Sequence, residues 1–127
     1  MNKSLEWANE ILEIEKTLIL GYTNTGFING SDLREKLIYY VRKINVDRVI
    51  AFYPLMLHEV HPDHLIVGRM AAEAGIFTIF LLLHINHIKE GSNPYSCSEI
   101  WFMGLLGHSL NCFVHISTTF EKKLKQL

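Results

Sequence analysis

The strongest constraint on the fold of this chain is an apolar run followed by a short polar motif. Residues 48–53 (Arg-Val-Ile-Ala-Phe-Tyr) show no alternation of apolar and polar side chains, which is typical of a strand covered on both faces. Residues 65–74 have the pattern of a helix, and between the two lies His-Pro-Asp-His at residues 61–64. Ligands of open α/β sheets bind outside the carboxyl ends of the strands. This corner is therefore the predicted functional site.

Helical and extended patterns alternate along the rest of the chain. Helices are predicted after Ser4, after Ser31 as N-cap, and over residues 120–127, and strands over residues 17–20, 99–103 and 111–116. Gly75 is predicted to end the central helix, and residues 76–83 fit either a strand or a continued helix. The alternation favours an α/β fold with a mostly parallel, Rossmann-like sheet and flanking helices. The length predicts a single domain over residues 1–127.

Charge and composition exclude several classes of partner. The net charge of −1 gives no electrostatic case for binding nucleic acid or an anionic membrane. The most hydrophobic run, residues 74–85, is short of the roughly 20 residues that a membrane-spanning helix needs. Cys97 and Cys112 do not form a Cys-x-x-Cys pair. We expect buried, reduced thiols and a cytoplasmic protein without a signal peptide.

Two imidazoles and a carboxylate at one corner suit metal-assisted chemistry. Zinc binds neutral imidazoles and carboxylates, so one histidine can bind metal while the other reaches the reacting group. Asp63 can hydrogen-bond an imidazole and fix its tautomer, and His58 and Glu59 in the preceding loop can join the set. By spacing alone, surface histidines beside a capped helix are the more frequent outcome. Seven histidines in 127 residues raise metal chemistry or a pH response above its usual frequency.

A second His-x-x-His, formed by His84 and His87, has apolar neighbours. We therefore expect these two side chains in the core or at the edge of a loop. Ser109 has no Gly-x-Ser-x-Gly context, which argues against a serine hydrolase.

The segment around the corner resembles the PIG-L/LmbE-like family of zinc-dependent N-deacetylases. The resemblance is strongest in Asp-Arg-Val-Ile at 47–50, His-Pro-Asp-His-Leu-Ile-Val-Gly-Arg at 61–69 and Ala-Ala-Glu-Ala at 71–74. Weaker matches flank it over residues 6–12 and 20–22 and over residues 99–102, 113–117 and 120–124. The resemblance implies removal of an N-acetyl group from a small amino-sugar-like substrate or related amide. It implies that His64 binds Zn²⁺, that His61 stabilises the oxyanion or acts as general acid, and that Asp63 orients His61.

One departure from the family pattern limits this interpretation. The family carries an earlier His-Pro-Asp-Asp motif with two further zinc ligands and the general base, and the 127 residues contain none. We therefore expect a partial domain that binds zinc weakly or not at all alone. We also expect a re-paired sheet, a homo-oligomer or complementation by a further fragment.

Two alternatives stay open beside the deacetylase interpretation. One is a non-catalytic α/β module that acts through association after losing the metal site. The other is an unrelated metal-binding protein that uses His58, His61 and His64. Glu59 would be a further candidate ligand in that protein.

Overall fold

The computed structural model describes residues 3–26, 29–104 and 111–126. The elements in chain order are α1 (Lys3–Leu12), α2 (Gly30–Ile44), β1 (Arg48–Phe52), α3 (Pro62–Phe77), α4 (Ile85–Lys89), β2 (Glu99–Met103) and α5 (Phe120–Gln126). The chain divides into two compact units, one of Met1–Gly21 with Leu110–Leu127 and one of Tyr22–Ser109. The prediction of a single domain is not tested by this division and stays a prediction.

The larger unit contains a parallel two-stranded sheet. β1 and β2 pair from Arg48 with Glu99 to Phe52 with Met103, and the Tyr53 N–H donates to the Met103 carbonyl at 3.2 Å beyond the ladder. Parallel strands need a crossover connection, and α3 lies in it. The mixed α/β class and the parallel pairing are thus confirmed, while a larger Rossmann-like sheet stays a prediction.

Helix α3 covers one face of β1. Gly68 and Gly75 bring the helix against the strand, close to Phe52 and Val49 respectively, and Ala51 is buried. Ile50 nevertheless remains 59% exposed. The prediction that both faces of this strand are covered is therefore wrong for the part of the chain that the structure describes, because helix packing reaches only one face.

Helix α2 packs on α3 and begins at a different cap from the predicted one. The side-chain oxygen of Asn29 accepts hydrogen bonds from the backbone N–H groups of Ser31 and Asp32, at 3.0 and 3.4 Å. These are the second and third helical positions, whose N–H groups have no partner within the helix. The prediction of Ser31 as the cap is two residues late.

Helix α3 runs through Gly75 rather than ending there. A Cβ at Gly75 would lie 2.7 Å from Cδ1 of Ile100 in β2, so the glycine permits close helix–sheet packing inside the helix. The helix ends at Phe77, with Thr78 as its C-cap. Residues 76–83 are therefore neither a strand nor a continuous helix.

The turns after α3 are held by one buried side chain of α2. Arg42 is only 2% exposed, and its guanidinium donates to the backbone carbonyls of Thr78, Leu83 and Phe80 at 3.0, 3.0 and 2.7 Å. A segment that makes few hydrogen bonds of its own thus gains three charge-assisted ones.

The smaller unit contains α1 and α5, joined by an ion pair between Lys122 and Glu13. The strands predicted over residues 17–20 and 111–116 are irregular. A strand needs a ladder partner, and neither segment has one among the residues described. Both segments leave apolar side chains exposed, such as Ile19 at 65% and Phe113 at 83%.

Two further predictions concern surroundings rather than fold. Within the described ranges, no helix is long and apolar enough to cross a membrane. Cys97 is half-buried and Cys112 is exposed, so the prediction that both thiols are buried is wrong. A cytoplasmic location stays a prediction.

Candidate functional site at the amino end of helix α3

His61 is the N-cap of α3. Its backbone is extended, with φ −81° and ψ 111°, and its Nδ1 accepts the N–H of Asp63 at 3.3 Å. Pro62 occupies the first helical position, where its missing N–H costs nothing. Since Nδ1 uses its lone pair as an acceptor, the neutral ring carries its proton on Nε2. The cap therefore leaves His61 with an N–H donor at its far nitrogen.

Three aromatic rings stack at the end of β1. The rings of His61 and His64 lie 4.5 Å apart at 16°, and those of His64 and Phe52 lie 4.1 Å apart at 13°. Phe52 is the last residue of β1, so the strand carries the stack out to the helix corner. The stack fixes the plane of both imidazoles.

Glu59 joins the two histidines from the loop before the helix. One carboxylate oxygen lies 2.8 Å from His64 Nδ1, and the other accepts the backbone N–H of His61 at 2.8 Å. The hydrogen bond from His64, followed by that from His61, lowers the pKa of the Glu59 carboxyl below its ordinary value. A carboxylate that accepts Nδ1–H leaves the Nε2 lone pair of His64 free, which is how carboxylates orient metal-binding histidines.

Asp63 contacts a different partner from the predicted one. Its Oδ2 accepts the backbone N–H of Thr25 at 2.8 Å and lies 4.0 Å from His61 Nδ1, too far for a hydrogen bond. Asp63 thus contacts His61 through its backbone N–H, while its carboxylate ties the turn at Thr25 to α3. The predicted role of Asp63 in orienting His61 stays a prediction, now with the backbone as the contact.

The described residues provide one good zinc ligand at this corner and no full set. His64 offers Nε2, but no three histidine, cysteine or carboxylate groups converge here among the residues described. His58 is exposed, and both oxygens of Glu59 already accept hydrogen bonds. The residues present therefore do not hold zinc by themselves, and the alternative built on His58, His61 and His64 gains no support.

The convergent metal-ligand group in the described part lies elsewhere. Glu35, His84 and His87 place one ligand atom each within 4.8 Å of one another. His84 is the N-cap of α4, and His87 is 5% exposed; burial lowers the pKa of His87. The predicted core position is confirmed for His87. Sequence reasoning missed Glu35, since it lies on α2, far from the histidines in the chain.

The residues around Ser109 that bear on serine chemistry lie outside the described ranges. The candidate site is the strand–helix corner of Phe52, Glu59, His61 and His64.

These features define a class of protein. It is a mixed α/β protein with a parallel β–α–β unit and a histidine-bearing corner after the first described strand. No family model matches the chain, and no curated protein matches it.

Two solved structures are similar to this chain. The chain is similar to N,N′-diacetylchitobiose deacetylase from Pyrococcus horikoshii, solved with its inhibitor MPG, at TM-score 0.87 and 29% identity over 98% of this chain. It is similar to the conserved protein TT1542 from Thermus thermophilus, at TM-score 0.81 and 21% identity over 98% of this chain. The second likeness shows the fold alone.

The chain spans about half the length of these structures, 46% of the first and 53% of the second. The likeness to a chitobiose deacetylase supports the resemblance to the PIG-L/LmbE-like family.

Proposed function

We propose that this chain provides the His-Pro-Asp-His part of a metal-dependent N-deacetylase site, which removes the acetyl group from a small amino-sugar-like substrate. The observation that carries the proposal is the pair of stacked imidazoles with complementary tautomers. His61 presents a donor N–H, and His64, oriented by Glu59, presents a free lone pair. The likeness to an enzyme that acts on diacetylchitobiose supports the substrate class.

His61 is proposed to act on the oxygen of the scissile amide. The oxygen gains negative charge as the carbonyl carbon becomes tetrahedral, and a preorganised donor stabilises that charge. The Nε2–H of His61 is such a donor, because its Nδ1 is occupied by the N–H of Asp63. Its ring is also held in place by stacking on His64.

His64 is proposed to hold zinc through Nε2. Bound zinc would polarise the amide carbonyl and lower the pKa of a bound water towards roughly 7. The remaining ligands and the base would come from side chains of a second copy of this chain or from a complementing fragment. Exposed apolar side chains beside the corner support association, with Leu55 at 73%, Leu57 at 84% and Val60 at 92%.

The test is release of free amine from N,N′-diacetylchitobiose at saturating Zn²⁺. The protein concentration is one at which light scattering shows association to be complete. We expect slow release by the parent chain and a fall in kcat of about 10²–10³ in His61→Ala with little change in KM. His58→Ala, an exposed histidine of the same loop, is the matched control and should match the parent.

The alternative of a non-catalytic association module makes the opposite prediction. The same exposed apolar side chains and the lack of three convergent ligands at the corner, among the residues described, favour it. If the chain is such a module, no amine is released under any of these conditions, and His61→Ala and His58→Ala give the same result in the assay. Either result would contradict the deacetylase proposal, whereas a stable monomer in light scattering would contradict only the proposed association.

A further inference from the structure

We propose that Glu35, His84 and His87 form a second divalent-metal site, of the zinc class, which clamps α2 to α4. The site is separate from the corner at His61 and His64. The three side chains come from the first half of α2, from the cap of α4 and from within α4.

The distances fit a bound ion better than they fit hydrogen bonds. Oε1 of Glu35 lies 3.4 Å from Nδ1 of His84 and 3.6 Å from Nε2 of His87. Both are ion-pair contacts, longer than the roughly 2.9–3.0 Å at which hydrogen bonds to nitrogen are most frequent. Ligands about 2.0–2.1 Å from a tetrahedral zinc lie about 3.3–3.4 Å from one another. The two distances from the carboxylate oxygen to the imidazole nitrogens are thus close to the edge of a zinc tetrahedron, and all three ligand atoms lie within 4.8 Å of one another.

The surroundings of the two rings give no other reason for this arrangement. Nε2 of His84 and Nδ1 of His87 are buried and have no hydrogen-bond partner among the described residues. The rings stack at 5.1 Å and 20°, so both direct a nitrogen at the same carboxylate oxygen. Nε2 of His84 and Nδ1 of His87 are the nitrogens opposite the ones that face Glu35, so no hydrogen bond at the far side of either ring accounts for its orientation toward the carboxylate.

The backbone conformation of His84 also supports a ligand site. His84 has φ 56° and ψ 60°, in the left-handed region that non-glycine residues seldom adopt. Such conformations persist where surrounding contacts determine them, often at ligand sites. With this conformation at the cap of α4, the rings of both histidines face Glu35 of α2.

The chemistry of the donors selects the kind of ion. Two imidazoles and one carboxylate suit zinc and its neighbours in the transition series rather than calcium or magnesium, which take oxygen ligands. The Glu35 side chain is 49% exposed, so the fourth position opens to solvent and takes water. The site thus links α2 to α4 and leaves the fourth ligand position open to solvent.

The experiment is a Zn²⁺ titration of the full chain after chelator treatment, with a chromophoric competitor, repeated with Co²⁺ as a spectroscopic probe. We expect one site that persists in His64→Ala and His58→Ala. The affinity should fall at least about 10-fold in Glu35→Gln and in His84→Ala, since even the loss of a group that only orients a metal ligand costs that much. Zn²⁺ should also raise the melting temperature of the parent but not of Glu35→Gln.

Glu35→Gln keeps the measurement decisive, because a half-exposed, isosteric change does not threaten the fold. Circular dichroism of each variant confirms this before titration. Equal affinity in Glu35→Gln, His84→Ala and the parent would overturn the proposal, as would loss of the site in His64→Ala alone. Since the readout is metal binding and stability, failure of the deacetylase assay leaves this result unaffected.

Discussion

Gly68 is the point of closest approach between α3 and β1. A Cβ placed there would lie 2.3 Å from the backbone carbonyl oxygen of Phe52. In Gly68→Ala this distance has to grow by about 0.7 Å to reach even 3.0 Å, the lower limit of real Cβ contacts. Because the obstacle is backbone in a paired strand, helix and strand have to separate.

The expected magnitude follows from two opposing effects. Alanine in place of glycine inside a helix stabilises by about 1 kcal/mol, whereas overpacking a core typically costs about 1–3 kcal/mol and occasionally more. The clash falls on backbone, so we take the upper part of that range and expect a net loss of about 2 kcal/mol. The shift would also pull His64 from Phe52, whose rings lie 4.1 Å apart.

Gly75→Ala is the matched control within the same helix. Its Cβ would meet the side-chain end of Ile100, Cδ1 at 2.7 Å, which can rotate away. We expect a change within about 1 kcal/mol of the parent, since the helix preference of alanine offsets the contact. Urea unfolding followed by circular dichroism measures both variants. A Gly68→Ala protein as stable as the parent, or as stable as Gly75→Ala, would refute the reasoning.

Three further predictions test other contacts. Arg42→Leu should lower the free energy of unfolding by about 3 kcal/mol or more, measured in urea, because three carbonyls lose charge-assisted hydrogen bonds; a change below about 1 kcal/mol would contradict this. Asn29→Ala should cost about 1 kcal/mol in the same assay through loss of the cap, whereas Ser31→Ala should stay within about 0.5 kcal/mol. The Glu59 carboxyl has a lowered pKa in the folded chain, so its stabilising effect is complete above its ordinary value of 4.5 and fades as the pH falls through the lowered value. As the pH is lowered through this range, the parent should therefore lose stability that Glu59→Gln, which has no carboxyl group at this position, does not lose. Superimposable profiles of stability against pH for the two proteins would disprove the pairing with His64.

The local elements could be predicted where the sequence alone decides them. β1, β2 and the amphipathic helices follow from runs of apolar residues and from their spacing. The strands predicted over residues 17–20 and 111–116 could not be judged in this way, because a strand depends on a partner that its own sequence does not encode. Gly75 was misjudged for a related reason: its environment is set by Ile100 in β2.

In the candidate site, too, the local sequence predicts some residues, whereas others depend on tertiary packing. His61 and His64 were found because they are neighbours in one motif at a strand–helix corner. The orienting role of Glu59 had a local signal, since it lies two residues before His61, but its two hydrogen bonds depend on how the loop folds. Glu35 had no such signal, because only the packing of α2 brings it to His84 and His87.

The support that Arg42 gives to the turns after α3 has a consequence for how this protein can diverge. The backbone carbonyls of Thr78, Phe80 and Leu83 receive their hydrogen bonds from a residue at least 36 positions earlier in the chain. The side chains between them are exposed, such as Leu82 at 83%, and make no contribution to those bonds. Mutations can therefore accumulate in this segment at little cost, while selection acts on the arginine. Relatives should differ in the segment and still keep its shape.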